Sequence, residues 1–150
     1  MTPQRLSEPC DWAAVLTLIR RAFAGMEGRI DPPSSLNHLT AQDLAHGPGE
    51  VWAIGDPVQA CVVLTPLPHA LHVGKLAVAP DAQGRGHARA LIATATERAR
   101  ALGLPALELQ VRVELVENHA VFAALGFRQV GESRHPGYDR ATSVIFSKPV

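Results

Sequence analysis

The segment from Leu71 to Leu102 constrains this chain most. An apolar run, Leu71 to Pro80, leads through Gln83-Gly84-Arg85-Gly86-His87-Ala88 into an amphipathic helix expected from about Arg85 to Leu102. Glycine at such a turn lets the backbone approach a ligand with no Cβ in the way. The free N–H groups of the helix's first turn then point at that ligand, and the helix dipole favours negative charge there. Arg85 and Arg89 add positive charge, so the guest this turn suits is a phosphate or pyrophosphate.

A dinucleotide-binding fingerprint would need G-x-G-x-x-G directly at the end of a strand. Here Pro80 to Gln83 intervene and Arg89 stands where the third glycine belongs. A side chain of that size would hold helix and strand apart. A plain glycine cap remains the alternative to a phosphate loop.

The rest of the chain supplies ordinary globular material. Its 150 residues suit one domain with one core. The 14 basic and 14 acidic side chains balance to zero formal charge, which predicts neither a nucleic-acid nor a membrane partner. No segment approaches a membrane span, no signal peptide is visible at the start, and Cys10 and Cys61 form no C-x-x-C pair. A reduced, cytoplasmic protein is the expectation. Seven histidines are scattered; His69 and His72, three apart in a strand segment, fall on opposite faces and make a poor chelate, so no metal is expected.

Periodicity and breakers divide the chain. A short strand over Thr2 to Leu6 precedes a helix from Trp12 to Phe23, capped by Asp11. Gly25 to Pro33 reads as a loop, and a second helix is expected from about Ser35 to Ala45. Strands Glu50 to Ile54 and Val58 to Leu64 flank a hairpin turn at Gly55-Asp56-Pro57. Leu71 to Ala79 is the next strand. The long helix buries Ala88, Leu91, Ile92, Ala95, Ala99 and Leu102, and ends at Gly103. Ala106 to Val113 alternates, with Leu107, Leu109, Val111 and Val113 on one face and Glu108, Gln110 and Arg112 on the other. A helix from about Asn118 to Leu125 and strands at Phe127 to Glu132 and Ser143 to Ser147 complete the chain.

The turn also carries a resemblance. Gln83, Gly86 and Ala88, after a strand ending Leu76-Ala77-Val78-Ala79-Pro80, match Q/R-x-x-G-x-G/A, which looks like the acetyl-CoA pyrophosphate loop of the GNAT N-acetyltransferase superfamily. Glu117 to Phe127 resembles the family's second segment, in which a helix Asn contacts pantetheine and a Tyr faces the sulfur. The element order β-α-α-β-β-β-α-β-α-β-β is the family's order. The resemblance implies an α/β, GNAT-type fold, a central mixed, mostly antiparallel sheet flanked by helices, formed as one domain over residues 1–150. It implies acetyl-CoA as co-substrate, with no metal, and a small-molecule or peptide primary amine as acceptor. Homodimers are common in the superfamily.

The resemblance also assigns roles residue by residue. The backbone of Leu76, Ala77 and Val78 would bond pantetheine and the acetyl carbonyl, with the Val78 N–H polarising that carbonyl. Gln83, Gly84, Arg85, Gly86, His87 and Ala88 would hold the pyrophosphate. Asn118 is either a pantetheine contact or the N-cap of its helix, four residues before the aromatic where the family usually has seven. The family's Tyr is Phe122 here and cannot donate a proton. Tyr138, the chain's single Tyr, is a candidate acid.

Direct transfer also needs a base, because an aliphatic amine with a pKa of about 10.4 is mostly charged at neutral pH. His72 is the first candidate: histidine titrates in the right range, and period two puts it on the face of Val78, at an offset where some histone-modifying members carry a base Glu. Glu108 is the second, with His119 and His87 behind it. Acceptor selection would fall to Met26–Asp31 and Ser133–Thr142, where Glu27 and Asp31 could attract a cation and Arg29, His135 and Arg140 a carboxylate. Acetylation of a charged tRNA or another macromolecule is disfavoured by the zero net charge. A non-catalytic acyl-CoA-binding or sensing module is the rival, favoured by Phe122.

Overall fold

A computed structural model describes residues 2–150. Seven strands form one sheet: β1 (Gln4–Arg5), β2 (Glu50–Ile54), β3 (Ala60–Pro66), β4 (Leu71–Val78), β5 (Ala106–Arg112), β6 (Arg128–Ser133) and β7 (Ser143–Pro149). Their order is β1-β2-β3-β4-β5-β7-β6. Every neighbouring pair is antiparallel except the central β4–β5 pair. This is the mixed, mostly antiparallel α/β sheet that the resemblance implies, and it has the expected element order.

Four α-helices flank it: α1 (Trp12–Phe23), α2 (Ala41–His46), α3 (His87–Ala101) and α4 (Val116–Ala124). Helix α1 starts where Asp11 Oδ1 accepts the Ala14 N–H at 3.1 Å. The helix expected over Ser35–Ala45 is two pieces. A 3-10 turn spans Ser35–His38, the chain then extends, and α2 begins after a capping box in which Thr40 and Asp43 satisfy each other's backbone N–H. Strand β3 begins at Ala60, two residues later than expected, because the turn after Gly55 runs to Gln59.

Helix α3 starts at His87 rather than Arg85. Gly84 and Gly86 lie at φ +79° and +83°, a left-handed conformation that keeps both outside the right-handed helix, with Gly86 as its N-cap. Leu91, Ile92, Ala95 and Ala99 face inward as expected, and the stripe differs only at its ends: His87 is buried, Ala88 is half-buried and Leu102 is 43% exposed.

The sheet separates two cores. On one face Leu91, Ile92 and Ala95 of α3 pack on Val62, Leu64, Leu71, Val73, Leu107 and Leu109. On the other, Val15, Leu18 and Ile19 of α1 pack with Cys61, Ala77 and Ala79. Burial of Cys61 pushes its thiol up to about 12, as befits a core side chain.

Strand β4 changes face along its length. Leu71 and Val73 belong to the α3 core, Ala77 and Ala79 to the α1 core. A β-bulge causes the switch: Cys61 pairs with Ala77 but Val63 pairs with Gly74, so Lys75 and Leu76 together oppose Val62. Lys75 carries φ +50°, the one positive φ outside glycine among the described residues.

An ion pair ties β2 to α3. Glu50 accepts from Arg98 Nε at 2.9 Å and Nη2 at 2.7 Å, and from Trp52 Nε1 at 2.9 Å. Arg98, ahead of the other partners, lowers the Glu50 carboxyl from its ordinary value of 4.5. A depressed folded-state value stabilises the fold above about pH 4.5 and loses that stabilisation as pH falls through the lower folded value. Glu50→Gln should therefore flatten the acid limb of stability against pH in urea titrations; an unchanged acid limb would remove this linkage.

Candidate functional site

Strands β4 and β5 pair through only Leu71↔Leu107 and His72↔Glu108, then part. Beyond that point β4 pairs only with β3, and β5 only with β7. Their facing edges therefore present free backbone groups. Ala79 N donates to Gln59 O at 2.8 Å. Antiparallel alternation then aims the Ala77 backbone at β3 and the Val78 N–H and C=O into the split.

The glycine turn follows this edge after a 3-10 turn at Pro80–Ala82. A Cβ built on Gly84 or Gly86 would meet nothing within 4 Å. Open space thus lies over the turn, and α3 opens with no side-chain cap on its first amides. Gln83, Arg85 and Arg89 are exposed around it, and Arg85 Nη2 reaches Asp81 O at 3.4 Å. His87 instead turns inward, 8% exposed, with Nε2 unpartnered. The cradle thus combines free amides, room and cations. Among the described residues no cluster of metal ligands exists.

Helix α4 starts two residues before Asn118, and Leu115 is its N-cap position. The capping reading of Asn118 is therefore corrected: Asn118 lies inside the first turn, its N–H donating to Leu115 O at 3.0 Å. The position seven residues before Phe122 is Leu115 itself, buried and apolar. Phe122 packs edge-on to Phe127 at 5.9 Å and near Phe146 at 6.4 Å. His119 donates from Nε2 to Arg112 O at 3.0 Å and lies 5.7 Å from the Phe146 ring.

The expectation that His72 shares a face with Val78 is overturned by the bulge. His72 lies opposite Leu71 and Val73, on the α1 side, whereas Val78 alternates with Ala77 and Ala79 of the α1 core and so points to the α3 side, although it touches both cores. Six residues of strand also span about 20 Å, less what the bulge takes up. His72 and the Val78 N–H cannot both touch one carbonyl. Gly74 makes room for the imidazole: a Cβ there would stand 3.1 Å from His72 Cε1. Burial, then the Lys75 charge, lowers His72 from its ordinary 6.5, against an opposing pull from Glu108. His72 is neutral at pH 7 on that account. His69 lies in the turn before β4, not in the strand, and donates from Nε2 to Glu108 Oε2 at 2.7 Å.

Two connections close over the far end of the split. Tyr138, between β6 and β7, donates its hydroxyl to Asp31 Oδ1, between α1 and α2, at 2.6 Å. Arg140 Nη2 lies 3.3 Å from Asp31 Oδ2, with its guanidinium 5.5 Å from the Tyr138 ring centre. Arg29 pairs with Glu117 of α4. Arg112 donates to the carbonyls of Pro32 at 2.7 Å and Pro33 at 3.3 Å, and Asp31 N donates to Glu114 Oε2 at 3.2 Å. Asp31, Arg29 and Arg140, expected to attract substrate charges, are thus paired with protein groups, and the His135 N–H bonds Thr142 Oγ1 at 2.9 Å. Glu27 remains exposed beside a cavity of about 590 Å³ lined also by Arg20, Phe23, Met26, Ile30 and Leu36. Sequence reasoning missed His69, Arg112, Glu114 and Glu117; only Arg112, on the alternating polar side of β5, left a signal there.

The chain matches the family model of the acetyltransferase (GNAT) family over residues 12–127. Among curated protein sequences nothing matches it. Solved structures do. The ribosomal-protein-S18-alanine N-acetyltransferase from Escherichia coli is 22% identical with TM-score 0.71, over 99% of this chain and 92% of that one. A GNAT family acetyltransferase from Elizabethkingia anophelis with acetyl-CoA bound is 16% identical, TM-score 0.71, over 99% and 97%. An acetyltransferase from Bacillus subtilis in complex with CoA is 18% identical, TM-score 0.67, over 99% and 98%. At these identities the likeness is one of fold.

The hydrogen bond to Asp31, ahead of burial and the Asp31 charge, raises the Tyr138 hydroxyl above its ordinary 10.0. Because the chain has one Tyr, an ultraviolet pH titration reads this group alone. Its midpoint should lie above 10.0 and fall toward that value in Asp31→Ala. Identical midpoints in the two proteins would dissolve the contact.

Proposed function

The chain belongs to the GNAT acetyltransferase family, and from that premise we propose that it transfers an acetyl group from acetyl-CoA to a primary amine by direct attack. The observation that carries this reading is the β4–β5 split running into an uncapped glycine turn with open space above it. An extended pantetheine arm needs an unpaired strand edge, and a pyrophosphate needs free amides at a helix start. Similar folds that hold acetyl-CoA and CoA support the same co-substrate. The neighbour named for the alanine of a ribosomal protein puts peptide N-termini beside small amines among the acceptors to test.

In this reading residues 1–150 act as one catalytic domain. Gly84 to Ala88 bind the pyrophosphate, with Gln83 and Arg85 at its rim. Ala77 and Val78 line the pantetheine, and the acetyl carbonyl lies at the Leu76 end of the edge, since only that end comes within range of His72. Asn118 and Phe122 wall the arm from the α4 side. The amine nitrogen attacks the carbonyl carbon, its proton passes to neutral His72, the C–S bond breaks, and the thiolate leaves. A thiol's pKa of about 8.5 makes that departure feasible without a dedicated acid. Glu108, in register with His72 and held by His69, orients the imidazole. Tyr138, whose proton is engaged by Asp31, serves the closure of the acceptor side rather than acid catalysis.

Phe122 and Leu115, apolar where the family carries its Tyr and Asn, favour the rival reading of an acyl-CoA-binding module without turnover. Thiol release from acetyl-CoA across small amines, amino acids, polyamines and peptide N-termini decides between them. Amine-dependent release is expected, and it should vanish in Gly86→Val. In His72→Gln the rate should fall, and the limb that rises with pH below about 6.5 should disappear, because that limb is loss of the His72 proton. Tight acetyl-CoA binding without release would move the protein to the binding module, and an unaltered pH limb would remove His72 as base.

A further inference from the structure

One buried oxygen on the acceptor side has no partner. Glu114 lies just beyond β5, six residues past the last β4–β5 pair, and so stands at the open end of the split. Its Oε2 accepts the Asp31 N–H, while its Oε1 is shut off from water and, among the described residues, unbonded. A buried carboxylate oxygen without a donor is costly, and native interiors seldom carry one without a use. The neighbouring cations do not meet it. Arg112 gives its guanidinium to the Pro32 and Pro33 carbonyls, Arg29 is held by Glu117, and Arg140 by Asp31. Glu114 therefore sits beneath the α1–α2 connection as an acceptor lacking a cation.

We infer that Glu114 is the specificity-determining residue that binds an aliphatic ammonium group of the acceptor, with Oε1 taking the N–H donors. This rests on the acetyl-transfer reading for its place in a reaction, but the binding it describes is separately measurable. The class of acceptor it selects is a cationic amine, in preference to an uncharged or carboxylate-bearing one. Because Oε1 is shut off from water and the Asp31 N–H is bonded to the same carboxylate, entry requires the Arg29–Pro33 segment, tied down by the contacts of Arg112 and Glu117, to lift.

The test is calorimetric titration of 1,4-diaminobutane into the wild-type protein and into Glu114→Gln and Glu114→Ala, with 1,4-butanediol as the uncharged comparison. Gln keeps an oxygen for the Asp31 N–H while removing the charge, and melting curves of both variants check that they remain folded. The diamine should bind the wild type, at least about tenfold more weakly in either variant, and the diol should not bind. Equal diamine binding in all three proteins, or none in the wild type, overturns the assignment. Thiol release is read separately: Glu114-dependent binding without release sinks the acetyl-transfer reading alone, and release with no Glu114 dependence of the diamine's KM sinks this one alone.

Discussion

The site depends on one extra residue in β4. Lys75 and Leu76 together occupy the space opposite Val62, and three features follow. The strand's alternation slips, so that its first half feeds the α3 core and its second half the α1 core. The strand bends, as bulged strands do. Its pairing with β5 stops after two residues. Without the bulge, Leu71, Val73, Lys75 and Ala77 would share a face, and a lysine would enter the core. The positive φ at Lys75 is a strained backbone for a residue with a Cβ. It recurs at a place where the chain must open, which is where such strain is expected to be kept.

The open end of the split is held by polar contacts beside the packing of Met26 and Ile30 on the α3-side core. The α1–α2 connection meets β5, α4 and the β6–β7 connection through Arg112, Glu114, Glu117, Tyr138 and Arg140. Glu117 and Arg140 are exposed and the other three half-buried, and ion pairs at exposed sites are weak and screened by salt. A closure built this way can exchange its partners for those of an incoming molecule. The reacting strands beneath it are fixed by sheet pairing and two apolar cores.

The fold was legible because its elements announce themselves locally. The alternation in Ala106–Val113, the stripe in Leu91–Ala99 and the breakers at Gly47-Pro48 and Gly103 each depend on residues close in sequence. The pyrophosphate turn was legible for the same reason. What escaped is set by distant partners or by a single shift in phase. Gly74, beside the bulge at Lys75, is the one local mark of it; a period of two carried past that glycine puts His72 on the wrong face. The partners of Asp31 and Glu114 lie 107 and 83 residues away, and nothing in the local sequence of either predicts them. Asn118 looked like a cap because Leu115, the residue in the capping position, is apolar and gives no capping signal.

The central claim is that the β4 edge and the glycine turn form one binding surface for acetyl-CoA. Amide hydrogen exchange of the protein with and without CoA tests it most directly, because it reads backbone N–H groups and needs no acceptor. The account predicts slowed exchange at Val78 and from Gly84 to Ala88, with β1 and β6 unaffected. Saturating CoA that leaves those amides unchanged, or that slows exchange only elsewhere, would contradict it.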